Sequence, residues 1–99
     1  MPAAASATLA TFRMDLDREP EQRAVLERVI VPGVANSPGF VSGHWTLDRE
    51  SSQSFVLLTF ESAAHANAMA SNVTANAENQ RAAGIELVSI QVLEVTATA

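Results

Sequence analysis

His44 is the residue whose type and neighbours point most directly to chemistry. It lies in the run Phe40 to Asp48, where Val41, Gly43, Trp45 and Leu47 alternate with Phe40, Ser42, His44, Thr46 and Asp48. In a strand, Ser42, His44 and Thr46 would share one face and Trp45 the other. Arg13 and Thr11 in an early run, and Ser89 and Gln91 in a late one, can turn the same way. An imidazole, a guanidinium, hydroxyls and an amide would then line one site. His44 would serve there as general base toward an acidic C–H or phenol, with Arg13 stabilising the developing oxyanion. The candidate pocket residues are therefore Arg13, Ser42, His44, Trp45 and Gln91, with His44 the candidate catalytic residue. The plainer reading is an edge strand whose Ser42, His44 and Thr46 are solvated or sit at a subunit contact, because parity does not say which face is inside. Trp45, the only tryptophan, reads as core or pocket wall.

Other chemistries find little support. His65 stands near the start of a second helical stretch and is a conceivable haem or metal ligand, or simply an exposed histidine. No His or acidic residue recurs at a spacing that would complete a metal site, and no Gly-rich phosphate loop or Ser-His-Asp set occurs. No metal and no cofactor are expected. The chain has no Cys, which excludes disulfides, thiolate zinc sites and thiol nucleophiles and suits a reducing compartment. Six Arg, no Lys and eleven acidic residues give a formal charge of −5, the wrong balance for neutralising phosphates, so nucleic acid is not an expected partner. Nor is a membrane, since no run approaches the roughly 18–20 apolar residues of a span. Met1 to Ala7 lacks the positive start and apolar run of a signal peptide. A cytoplasmic location is expected.

At 99 residues and 47% hydrophobic composition the chain has the size of one domain with a thin core. A single domain over 1–99 is expected, with 1–6 frayed. Thr8 to Met14 reads as a strand. Glu19-Pro20-Glu21 opens a helix in which Val25, Leu26, Val29 and Ile30 recur at helical spacing. The breakers Pro32, Gly33, Asn36, Ser37, Pro38 and Gly39 end it near Val31, or one turn later at Val34. Phe40 to Asp48 and Phe55 to Phe60 are two strands around the polar loop 49–53. Ser62 opens an Ala-rich helix to Asn79 with the apolar line Ala66, Met69, Val73, Ala77. Gly84 punctuates, and Ile85 to Val95 is the last strand. The order βαββαβ predicts an α+β, ferredoxin-like fold: a four-stranded antiparallel sheet with two helices on one face.

Two helices cover one face of such a sheet, and the other should read as polar. Instead, Phe55-Val56-Leu57-Leu58 places apolar side chains on both faces. The last strand offers Val88, Ile90 and Val92 on one side and Ile85, Leu87, Leu93 and Val95 on the other. A second copy packed sheet to sheet is the simplest cover, because a covered apolar patch of several hundred Å² is worth on the order of 10 kcal/mol before association costs. A homodimer is expected.

The segments Pro38-Gly39-Phe40-Val41-Ser42-Gly43-His44-Trp45, Thr59-Phe60-Glu61-Ser62-Ala63-Ala64 and Gly84-Ile85-Glu86-Leu87-Val88 resemble the dimeric α/β-barrel (ferredoxin-like) superfamily, in particular small proteins related to antibiotic-biosynthesis monooxygenases. The resemblance implies paired sheets, an interior that holds an organic ligand, and activities that range over cofactor-independent oxygenases, haem degraders and isomerases. In the resembled oxygenases a Trp and a His lie on or near the second helix and an Asn on the first strand. Here the first strand has no Asn and the second helix no Trp, so that set does not carry over. Three readings follow: a homodimer binding a small apolar organic ligand between sheet and helices, with monooxygenase-like activity; a non-catalytic dimerisation or scaffold module whose barrel is filled by its own side chains; or a haem-binding protein. A cavity of roughly 300 Å³ with His44 or Arg13 facing it would favour the first.

Overall fold

The runs rich in strand formers pair into one sheet. The computed structural model describes residues 3–99. Its strands are β1 (Ser6–Met14), β2 (Phe40–Asp48), β3 (Gln53–Phe60) and β4 (Ile85–Glu94). Its helices are α1 (Glu19–Val25), α2 (Val31–Ala35), α3 (Ala63–Ala75) and α4 (Ala77–Ala82). The sheet order is β2-β3-β1-β4 with every neighbour antiparallel. The first helical connection therefore passes over β3 and the second over β1, which is the ferredoxin-like arrangement expected from the element order. No helix of the described residues is long and apolar enough to cross a membrane.

The start of the chain is tied into the sheet. Ala5 N–H donates to Phe60 O at 2.9 Å, Val95 N–H donates to Ala5 O at 3.0 Å, and Ser6 is buried. Of the residues expected to fray, Met1 and Pro2 lie outside the described residues.

The sheet has two unlike faces. Ala10 and Phe12 of β1 and Val56, Leu58 and Phe60 of β3 are buried with Ala66 and Met69 of α3, and Trp45, Ile85, Leu87 and Ile90 pack against them. Thr8 joins this layer, its hydroxyl donating to Ala66 O at 2.7 Å and so seating α3 on β1. Residues opposite one another in an antiparallel pair share a face. Leu9 faces both Leu57 and Gln91, Leu57 faces His44, and Thr11 faces Phe55 and Ser89. These residues form the second face, which no helix covers.

Two bulges change the strict alternation read from the sequence. In β2 the register shifts between Phe40 and Ser42, so Phe40 pairs with Phe60 on the helix side, ring centroids 6.0 Å apart, and does not share a face with His44. In β4 the register shifts opposite Thr11 and Phe12, so Phe12 pairs with Leu87 while Ala10 pairs with Ile90. Ile85, Leu87 and Ile90 consequently all reach the core, and Val88, grouped by alternation with Ile90, is left 46% exposed. A bulge inserts one residue and reverses the phase beyond it.

The first helical run begins with a 3-10 turn, Leu16–Arg18, capped by Asp15, whose carboxylate accepts from Asp17 N–H at 3.1 Å. It continues past Pro32 to Ala35 by way of a π turn at Leu26–Ile30, in which Val31 N–H donates back to Leu26 O. A proline inside a helix lacks a donor and crowds the turn before it, and the widened turn directly ahead of Pro32 accommodates this. The wide turn also holds Gln22, Leu26, Ile30 and Val34 in line at four-residue spacing toward the sheet. Val25 and Val29, expected on the inner stripe, are 51% and 63% exposed.

Gly39 is required where it stands. Its φ is +74°, and a Cβ there would collide with the His65 ring. The turn into β2 and the first turn of α3 are thereby packed together.

Candidate functional site

The space between the sheet and the first helical run is not filled. A cavity of about 300 Å³ lies there. Phe12, Trp45, Val56 and Leu58 from the sheet, Leu26 and Ile30 from the π turn, and Met69 and Val73 from α3 make its walls predominantly apolar. Its polar groups are few. Thr8 and Ser54 line it, and their hydroxyls donate to Ala66 O and Thr46 O, each at 2.7 Å. Gln22 and Gln80 line it as well.

One wall carries an ion-paired cluster. Glu19 accepts two parallel hydrogen bonds from Arg49, both at 2.9 Å, and another from Arg23 at 2.8 Å. Arg49 stands in the turn between β2 and β3, so this fork fastens the start of α1 to that hairpin. The Arg49 hydrogen bonds, reinforced by Arg23, hold the Glu19 carboxyl at about 2, well below its ordinary value. Glu19 stays ionised and is a poor proton acceptor. Glu27 is the other carboxylate on the lining.

The sequence-derived site residues separate onto two faces. Trp45 lines the cavity. Ser42 pairs with Thr59, His44 with Leu57 and Gln91 with Leu9, which places all three on the uncovered face of the sheet. Arg13 is exposed at the end of β1 and ion-paired with Glu86 at 3.0 Å. The fold thus joins neither His44 nor Arg13 to Trp45. His65 is half-buried against Gly39, with Nδ1 2.8 Å from Ser62 Oγ. Neither histidine lines the cavity, and among the described residues no three His, Asp or Glu side chains gather as a metal site would need.

Gln22 and Gln80 were not singled out from the sequence, although a signal for both is present. Gln22 occupies the inner stripe otherwise held by Leu26, Ile30 and Val34, and Gln80 continues the line of Met69 and Val73. A polar residue in apolar phase marks a buried polar function. The uncertain end of the first helix hid the stripe, because four-residue spacing persists only through the π turn.

No family model matches the chain, and no curated protein matches it. Solved structures do. The haem degrader MhuD from Mycobacterium tuberculosis, determined with two haems bound in its active site, superposes with a TM-score of 0.71 at 20% identity, covering 95% of this chain and 98% of that one. A monooxygenase from the gene ActVA-Orf6 of Streptomyces coelicolor, in complex with Nanaomycin D, gives 0.64 at 14% identity over 100% and 92%. NE2512, a protein of unknown function from Nitrosomonas europaea, gives 0.67 at 19% over 100% and 96%. At such identities the likeness is one of fold. The fold of this chain is the ferredoxin-like fold that these three structures share, as its Pro38 to Trp45 and Thr59 to Ala64 segments lead one to expect.

Proposed function

We propose that this chain is a cytoplasmic homodimer that takes up a small, largely apolar organic molecule between its sheet and its helices. The cavity of about 300 Å³ carries this reading. Its volume is at the lower end of the range of small-molecule sites, and its walls are mostly apolar with a few polar groups, as such sites are. A scaffold module packed solid with its own side chains would leave no such space. Met14 and Met69 both line the cavity, so methionine methyl groups labelled with carbon-13 report on its occupant. Titration with naphthalene is expected to shift both methyl signals saturably. Unmoved signals would overturn the reading.

Oxygenation of the bound molecule is a second reading, favoured by the fold likeness to the Streptomyces coelicolor monooxygenase. It requires a proton acceptor, and Glu19, held down by two arginines, is unsuited to that part. It also requires that a molecule bind here, so the same titration tests it first. Haem binding draws on the likeness to the haem degrader. The residues present do not fit a haem ligated through histidine in this cavity, because His65 is turned to Ser62 and Gly39 and His44 is on the other side of the sheet.

The dimer is supported by the uncovered face. Phe55 and Leu57 of β3 are each 38% exposed, and Leu93 of β4 is 39% exposed. These side chains form the apolar surface that pairing sheet to sheet would bury.

A further inference from the structure

We infer that the first helical run, residues 16–35, is a flap over the cavity, and that the Glu19–Arg49 fork is the latch that sets how fast a molecule enters and leaves. The inference rests on the cavity reading and adds to it how the cavity opens. Most of the lining is buried or half-buried; its exposed members are Arg23, Glu27 and Thr46. Arg23 and Glu27 belong to the helical run and Thr46 to β2. The cavity therefore meets solvent along the seam between that run and the edge strand β2.

The run is fastened differently on its two sides. Toward the start of β4 it is bonded and close-packed. Asp15 N–H donates to Gly84 O at 2.9 Å, Gln22 Nε2 donates to Asp15 O at 3.1 Å and Ala83 O at 3.0 Å, and Arg18 donates to Ala82 O at 3.0 Å. These converge on Gly84, whose φ is +80° and where a Cβ would lie 3.0 Å from Asp15 Cβ and 3.2 Å from Gln22 Nε2. Toward β2 the seam is bounded at one end by the chain itself, which passes through 36–39 into the strand, and at the other by the two parallel bonds from Arg49 to Glu19. Among the described residues no other side-chain hydrogen bond or ion pair joins the run to the β2–β3 hairpin. Between those ends the walls are apolar, with Leu26 and Ile30 on the run and Trp45 and Leu47 on β2. The parallel bonds define one closed position, and the exposure of the Arg49 side chain, 61%, makes the pair easy to break. Breaking it frees the β2 side of the run and leaves the β4 side bonded, as a flap requires.

An apolar occupant makes no hydrogen bond to the fork, so losing the fork should change passage and not affinity. The test uses naphthalene, with exchange rates taken from the Met14 and Met69 methyl line shapes across a titration. Arg49→Gln and Glu19→Gln each break the ion pair and are expected to raise the association and dissociation rate constants together by about fivefold, the effect of a well-formed exposed pair, with Kd within twofold of wild type. Either variant carries the test should the other fail to fold. Arg49→Lys, which keeps the charge without the parallel bonds, should fall between them and wild type. Glu86→Gln breaks the Arg13–Glu86 pair, neither member of which lines the cavity, and should exchange as wild type does. Wild-type rates in both fork variants, a faster dissociation matched by an equal loss of affinity, or the same acceleration in Glu86→Gln would overturn the latch and leave the cavity reading standing. Failure of naphthalene to bind any of these proteins would remove the cavity reading and the latch with it.

Discussion

Single side chains on the cavity wall show how local pairing sets chemical character. Glu19 is an acid of the first helical turn, yet the fork from Arg49 makes it a strut between α1 and the β2–β3 hairpin. Its carboxyl titrates at about 2 when folded, against the ordinary 4.5. A group whose folded value is depressed contributes stability that is fully present above the unfolded value and is lost as pH falls toward the folded one. Wild type is therefore expected to exceed Glu19→Gln in urea midpoint by a constant margin from pH 7 to about pH 5.5, a margin that shrinks between 4.5 and about 2. A margin independent of pH across that window would show that the arginine fork does not hold Glu19 as described. The sequence made the acidic helix start legible from Glu19-Pro20-Glu21, but not the fork, because Arg49 is 30 positions away. The same limit applied to Trp45 and His44. Their opposite parity was readable, and which of them faced the helices was decided by the apolar partners Val56 and Leu58 across the ladder.

The order of elements was almost wholly legible, and the departures arise where a strand or helix breaks its own period. The bulges opposite Thr11 and Phe12 and at Phe40 to Ser42 reverse the phase of their strands, and the π turn at Leu26–Ile30 alters that of the first helix. The π turn accommodates Pro32, which reads from the sequence as a helix breaker, and neither bulge is marked by a local propensity. Helix α3 is the contrasting case, with its start written locally. Ser62 has an extended backbone and its hydroxyl accepts His65 N–H at 3.3 Å, while His65 Nδ1 lies 2.8 Å from the same oxygen. Ser62→Ala removes the cap and the imidazole contact together and is expected to cost about 1 kcal/mol. Ser62→Asp keeps an acceptor at the cap and should recover most of it. Urea denaturation with an unchanged m-value checks both. Equal stability of all three proteins would mean that Ser62 does not anchor the helix.

At the scale of the whole molecule, the helices and the cavity occupy one side of the sheet, and the other side remains to be explained. Leu57 is near its middle, facing Leu9 across one ladder and His44 across the other. Phe55 and Leu93 lie on the same side. The polar residues that the sequence offered as a pocket, Ser42, His44 and Gln91, are interspersed with this apolar set. That mixture suits a contact between subunits, where hydrogen-bonding groups fix register around an apolar centre. A charge placed at Leu57 would face its own symmetry mate or the apolar surface around it, and either arrangement is unfavourable without water. The side chain has no part in the cavity walls, so Leu57→Asp should leave the folded subunit and its methionine methyl spectrum intact. Analytical ultracentrifugation at micromolar concentration is expected to give wild type at twice the 10.5 kDa chain mass and Leu57→Asp at the chain mass itself. A wild-type chain that sediments as a monomer would leave Phe55 and Leu57 facing water and remove the reason for pairing the sheets.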